Sequence, residues 1–384
     1  MVRKISVVTG SRADYGLLKN LMKLIQSDSN MTLEIIATGS HYSSDHGNTY
    51  VEIESDGFKI DHKVEILESF VDEIGVSTAM GKAQLQITKI LKDSRPDILL
   101  VLGDRYEILS AVICALLLKI PVAHIHGGEI TQGAFDDSIR HAITKMSHVH
   151  FVSTEKSKQR VIQMGESMEN IYLVGGLGVD AIEDLVLVDK SEIELSMKFT
   201  FAKKNLIVTF HPETNSELAP RDQIKALLDA LSEFEDINFI FTGVNADPGS
   251  SEVTAEIMKF VETRTNAVLI HSLGQKNFFS SVFYSDGVVG NSSSGVLEVP
   301  SLRKPTVNIG NRQLGREFAE SVVNCELRSE KIADAIRYIY SNEISKKLEH
   351  NENPYGKGGA SLKIYHQLKG LNLAFLTNKK FIDL

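Results

Sequence analysis

Short runs of β-branched and aliphatic residues recur along the chain, separated by segments of helix length. In the first half they are Ile5–Val8, Leu33–Ala37, Ile98–Leu102, Val122–Ile125, Val149–Val152 and Ile171–Val174. In the second half they are Leu206–Phe210, Ile237–Phe241, Val268–His271, Gly287–Val289 and Thr306–Ile309. Nearly continuous apolar strands alternating with helices mark a parallel sheet covered on both faces. Eleven strands are too many for one compact domain of this kind. The pattern therefore predicts an α/β protein of two Rossmann-like, doubly wound domains.

The boundary falls between Gly175 and Lys204, where a glycine-rich end, Gly175-Gly176-Leu177-Gly178, gives way to the polar stretch Asp189–Lys204. This places a first domain at 1–178 and a second at 179–360. Asn351–Gly359 reads as a loop, Ala360–Leu368 as a helix, and 361–384 as a C-terminal helix and tail. A length of 384 residues agrees with two domains, each large enough for its own core.

Charge and cysteine content narrow the function. A formal net charge of −9 argues against a general role on nucleic acid. It leaves room for a local basic pocket, which an anionic nucleotide would need. The two cysteines, Cys114 and Cys325, suggest neither a disulfide framework nor a zinc knuckle and fit a reducing, cytoplasmic setting. The longest apolar run, Ala111 to Leu118, is far short of the roughly 20 residues of a spanning helix, so no membrane partner is expected.

The polar residues are informative by position. In open α/β sheets ligands bind beyond the carboxyl ends of the strands, and the unusual clusters lie there. After the first strand comes Gly10-Ser11-Arg12-Ala13-Asp14-Tyr15-Gly16. Arg12 and helix amides suit a phosphate, while Asp14 equally suits a helix cap. After Ile98–Leu102 comes Gly103-Asp104-Arg105-Tyr106-Glu107, where Asp104 and Arg105 form either a structural ion pair or part of a site. The richest segment is His124-Ile125-His126-Gly127-Gly128-Glu129, followed by Asp136-Asp137-Ser138-Ile139-Arg140-His141. On a strand His124 and His126 would share a face, but no third metal ligand follows at convincing spacing. Asp136 and Asp137 open a helix, where one of them can be only a cap.

The second half repeats the arrangement. His211-Pro212-Glu213-Thr214 follows a strand, then Asn245-Ala246-Asp247, then Gly290-Asn291-Ser292-Ser293-Ser294-Gly295 with Glu298 beyond. A Gly/Ser-rich strand-to-helix turn presents amides and hydroxyls to phosphate, or is an ordinary capped helix. Glu298, on the following helix, could accept both hydroxyls of a ribose. Ile309-Gly310-Asn311-Arg312-Gln313-Leu314-Gly315-Arg316-Glu317 mimics a P-loop in spacing, but Arg-Glu stands where Lys-Ser/Thr is required. Arg312 as a pyrophosphate clamp is more economical. No G-x-G-x-x-G occurs, so a nicotinamide fingerprint is missing. Together the clusters predict a cleft between two domains, one bringing carboxylates and histidines, the other a nucleotide site.

Taken together these residues resemble the hydrolysing nucleotide-sugar 2-epimerases, which supply precursors of sialic-acid-like sugars. The match runs from about Lys4 to Glu317 and is most specific at Gly10–Gly16, Gly103–Glu107, His124–His148, Gly290–Glu298 and Ile309–Glu317. The nearer branch acts on UDP-N-acetylglucosamine to release N-acetylmannosamine. A sister branch acts on nucleotide-linked N,N′-diacetylbacillosamine on the way to legionaminic acid. The resemblance implies a fold like the B-type glycosyltransferases, with the last helix crossing back to the first domain. It also implies no redox cofactor, a small-molecule nucleotide-sugar as partner, and a homo-oligomer, a dimer or larger. The implied chemistry is removal of the C2 proton as the nucleoside diphosphate departs, giving a 2-acetamidoglycal, then addition of water at C1. Carried over, the catalytic candidates are Asp104, Glu129 and Asp136, with Asp14 and Asp137 behind them. Some relatives have glutamate where His126 stands, which leaves acid and base unassigned. The nucleotide candidates are Arg12, Arg105, His211, Asn245, Ser292, Ser293, Glu298 and Arg312. A glycosyltransferase of the same architecture is the rival reading, and a non-catalytic nucleotide-sugar sensor a third.

Overall fold

A computed structural model describes residues 2–43, 48–67, 73–131, 136–183, 185–213, 216–244, 249–271, 273–374 and 376–383. The chain divides into two compact units. Unit 1 is Met1–Glu129, Phe135–Asp180 and Gly358–Leu384, and unit 2 is Ile130–Ala134 and Ala181–Lys357.

Unit 1 is built on strands β1 (Arg3–Thr9), β2 (Met31–Thr38), β3 (His62–Val64), β4 (Ile98–Leu102), β5 (Val122–Ile125), β6 (Val149–Val152) and β7 (Ile171–Leu173). They form one parallel sheet in the order β3-β2-β1-β4-β5-β6-β7. Both faces are covered, which explains the unbroken apolar runs. Ile5, Val7, Ile98 and Leu100 join the core on one side, while Val8, Leu99 and Val101 join the core on the other. The period of two thus sends neighbouring residues of one strand into different cores.

The helix Ala360–Gly370 closes the first core with Ile364 and Leu368. Its residue at the N-cap, Gly359, has no side chain with which to cap. Buried Asp180 takes that role, its two oxygens accepting from the amides of Ala360 at 2.8 Å and Ser361 at 2.6 Å. A carboxylate at a helix N-terminus is stabilised by amides and dipole together.

Unit 2 carries β8 (Asn205–Thr209), β9 (Asn238–Thr242), β10 (Ala267–Ile270), β11 (Gly287–Gly290), β12 (Thr306–Ile309) and β13 (Val322–Cys325). These are parallel in the order β10-β9-β8-β11-β12-β13. Again one strand feeds two cores: Leu206 and Val208 face one, Ile207 the other.

All eleven expected strands are present within a residue or two. Two more, β3 and β13, were not expected. Each lies at a sheet edge and carries exposed or half-exposed positions, so neither has the apolar run that marks a central strand. No helix among the described residues is long and apolar enough to cross a membrane.

Candidate active site

In unit 1 the chain builds β1, β2, β3 outward in one direction and β4 to β7 in the other. Strand order therefore reverses between β1 and β4, and loops leaving the two strands diverge there. Asp14 follows β1, and Asp104 and Arg105 follow β4.

The helix Arg12–Ser27 is capped by Ser11, whose hydroxyl accepts from the Asp14 amide at 3.3 Å. Asp14 is thus not the cap. Its carboxylate reaches back to the Gly10 amide at 3.3 Å, a variant of the capping box. Burial pushes its pKa up to about 6, with Arg105 opposing and Glu107 adding to the rise. Arg12 is exposed and pairs with Glu52 at 3.0 Å.

The Asp104–Arg105 ion pair does not form. Arg105 is extended (φ −79°, ψ 152°), and along extended backbone successive side chains diverge. Arg105 Nε instead donates to Glu107 at 2.5 Å, and Glu107 is wholly buried. A Cβ on Gly10 would lie 2.3 Å from that carboxylate oxygen, so any larger residue there would displace Glu107. Asp104 accepts from Arg140, a residue given no role on sequence grounds.

Arg140 is the centre of this half. It is 4% exposed and also donates to the His126 carbonyl at 3.1 Å, with Glu129 at 3.9 Å. Glu129 is buried, accepts from the Ser153 hydroxyl at 2.7 Å and lies 3.7 Å from His126 Nδ1. His126 Nε2 accepts from the Leu177 amide at 3.4 Å, which leaves the Nδ1 proton facing Glu129. Asp136 opens the helix Asp136–Met146, one turn before Arg140 on the same face. Its pKa rises to about 6 through burial and then through Asp104. Asp137 pairs with His141 of its own helix at 3.4 Å.

His124 and His126 do not share a face, because β5 ends at Ile125 and His126 turns left-handed at φ 65°. His124 is buried, with Nε2 bonded to the Gly103 carbonyl at 2.8 Å and Nδ1 to Thr144 at 3.2 Å. Burial lowers its pKa to about 3, so it is a neutral structural group. Among the described residues no His, Cys, Asp and Glu side chains group as a metal site.

In unit 2 the order reverses between β8 and β11. Gly290 ends β11 at φ 141°, and a Cβ there would lie 1.8 Å from the Thr209 carbonyl oxygen of β8. Glycine alone allows that approach. The next residue, Asn291, is buried and clamps His211, accepting from its amide and donating to its carbonyl, both at 2.8 Å. His211 is held neutral, its pKa lowered to about 3 by burial and then by Arg312. Arg312 Nη1 donates to the Asn291 carbonyl at 3.3 Å, and Gln313 to the same oxygen at 2.9 Å. Ser292 caps the short helix Ser293–Leu297, which Ser293 opens. Glu298 is the buried C-cap at the junction with a 3₁₀ turn, rather than within a helix. Asn245 lies outside the described residues.

The structure thus gathers Asp14, Arg105, Asp104, Glu129, His126 and Asp136 in unit 1, and His211, Ser292, Ser293 and Arg312 around the β8–β11 reversal in unit 2. Glu107, Arg140, Glu213 and Asn291 carry no role that their sequence context marks. All four lie inside the strand-end motifs, and their partners are set only by folding.

The sequence matches the family described as UDP-N-acetylglucosamine 2-epimerase over residues 23–369. It is 37% identical to a GDP/UDP-N,N′-diacetylbacillosamine 2-epimerase (hydrolyzing) of Campylobacter jejuni, over 100% of this chain and 99% of the relative. It is also 37% identical to polysialic acid biosynthesis protein P7 of Escherichia coli, over 96% of this chain and 94% of the relative. The fold is shared with the UDP-GlcNAc 2-epimerase of Neisseria meningitidis, solved bound to UDP-GlcNAc. That likeness has a TM-score of 0.81 at 19% identity and covers 96% and 100% of the two chains.

Proposed function

The chain belongs to the UDP-N-acetylglucosamine 2-epimerase family and is a hydrolysing nucleotide-sugar 2-epimerase, and from that premise we propose that it acts on UDP- or GDP-linked N,N′-diacetylbacillosamine. The name and full-length match of the Campylobacter relative favour that sugar. UDP-N-acetylglucosamine is the second reading, favoured by the family's description. The cytoplasm is the proposed setting, in keeping with two free thiols, Cys114 and Cys325.

The observation that carries the mechanism is the buried Arg140 guanidinium tying Asp104 to the neighbourhood of Glu129, with Asp136 one turn away. The C2 proton of an acetamido sugar is weakly acidic, so its removal needs a placed base. Asp136, with a pKa of about 6, is mostly ionised at neutral pH and still able to return a proton. Glu129, held by Ser153 and facing His126, is its partner across the reaction. The C2–H and C1–O bonds break, a C1–C2 double bond forms, and the nucleoside diphosphate leaves with the electron pair. Water then adds at C1 and a proton returns to C2 on the opposite face, so nucleotide sugar and water become nucleoside diphosphate and a free epimer. For the nucleotide, Arg312 and the Ser292–Ser293 turn suit the diphosphate and Glu298 the ribose. His211, being neutral, contributes hydrogen bonding rather than charge.

The test is incubation with UDP- and GDP-N,N′-diacetylbacillosamine and UDP-N-acetylglucosamine, without any acceptor, in heavy water. Mass detection should find free nucleoside diphosphate and a free sugar carrying one deuterium at C2. A released sugar lacking that deuterium rules out elimination. Nucleotide release that depends on an acceptor would identify a glycosyltransferase.

A further inference from the structure

We propose that Glu213 is a positioning residue for the diphosphate site: its carboxylate fills the amide nest of the Gly310–Arg312 turn and so fixes Arg312. The inference rests on the reading of Arg312 as the phosphate-binding cation.

The turn enters at Gly310 with φ 72°, a left-handed residue followed by two amides that converge on one point. Successive N–H groups in such a turn form a concavity suited to an anion. Here the anion is internal. Glu213 Oε1 accepts from the Asn311 amide at 2.8 Å and from the Arg312 amide at 3.1 Å. The fit is close enough that a Cβ on Gly310 would lie 2.2 Å from the same oxygen. Two amides that an external anion could take, those of Asn311 and Arg312, are therefore already satisfied. The cation that the turn presents to a diphosphate is the Arg312 guanidinium.

Glu213 is itself held from behind. Its amide donates to Gln223 Oε1 at 2.8 Å, and its carbonyl accepts from Gln223 Nε2 at 3.1 Å. Gln223 is wholly buried on the helix Pro220–Leu231 and also donates to the Leu218 carbonyl at 2.9 Å. On its other side the turn is tied through Arg312 and Gln313 to the Asn291 carbonyl. The loops after β8, β11 and β12 are thereby joined into one platform. Glu213 is the strut that reaches the backbone of Arg312 directly. Rigid support of a charged group reduces the ordering that binding must otherwise impose.

A double-mutant cycle on the full-length enzyme tests this, with UDP as the probe and calorimetric Kd beside kcat and KM. Glu213→Ala should weaken UDP about fivefold to tenfold, the scale of one or two lost hydrogen bonds. KM should rise with kcat little changed, since Glu213 touches no reacting atom. Glu213→Gln should stay within about twofold of wild type, because an amide oxygen still accepts both bonds. In an Arg312→Ala background Glu213→Ala should add nothing. Glu213→Asp, whose oxygen is withdrawn by one methylene, should behave as Glu213→Ala and replaces it if the alanine variant does not fold. Equal losses from Glu213→Ala with and without Arg312 would overturn this inference alone, as would a glutamine variant as weak as alanine. Normal UDP binding by Arg312→Ala would instead overturn the phosphate assignment, and this inference with it.

Discussion

Arg140 donates from the helix Asp136–Met146 to the carboxylate of Asp104 at the end of β4, 36 positions earlier in the chain. The guanidinium is almost wholly buried, so each charge there depends on the other. Arg140→Ala should lower kcat by about a hundredfold or more, because Asp104 would lose its orientation. It should also cost about 3 kcal/mol of stability, the penalty for removing one partner of a buried pair. Steady-state kinetics and urea unfolding measure both, and an Arg140→Ala enzyme of normal rate would dismiss the arrangement as incidental.

Asp104→Asn and Glu129→Gln should each lower turnover by about a hundredfold or more while leaving UDP affinity largely intact. Arg312→Ala should do the reverse, raising Kd for UDP with a smaller effect on kcat. Calorimetry with UDP separates the two classes. An Asp104→Asn variant that lost UDP binding would move Asp104 out of the chemistry and into the nucleotide site.

Asp136 gives a pH signature. With a pKa of about 6 it loses its base form as pH falls through 6, so log kcat/KM should decline below that point. A profile flat down to pH 5 would remove Asp136 as the base. Stability runs the other way. A carboxyl whose folded pKa lies above its unfolded value favours the fold below about pH 4, and that contribution is lost as pH rises through 6. Asp136→Asn should therefore raise the melting temperature at pH 8, relative to wild type, more than at pH 4.

Gly290→Ala should cost about 2 kcal/mol or more, since both its positive φ and the nearby Thr209 carbonyl exclude a methyl group. The loss should appear in urea unfolding and in weaker UDP binding, because the same turn carries Asn291 and Ser292. An alanine variant of unchanged stability would show that β8 and β11 separate easily.

The sequence alone determined the fold class. Central strands of parallel sheets bury both faces, so Ile98–Leu102 or Leu206–Phe210 must be apolar throughout, and that run is visible without coordinates. The edge strands β3 and β13 are half exposed and leave no such mark. The strand-end clusters were equally legible, because polar residues directly after an apolar strand stand out. Pairing was not. Only folding decided that Asp104 bonds Arg140 rather than its neighbour Arg105, that His126 leaves the strand of His124, and that Glu213 reaches Arg312 across 99 positions. A strand's burial is written into its own residues, whereas a hydrogen bond belongs to two distant ones and depends on the direction in which each backbone aims its side chain.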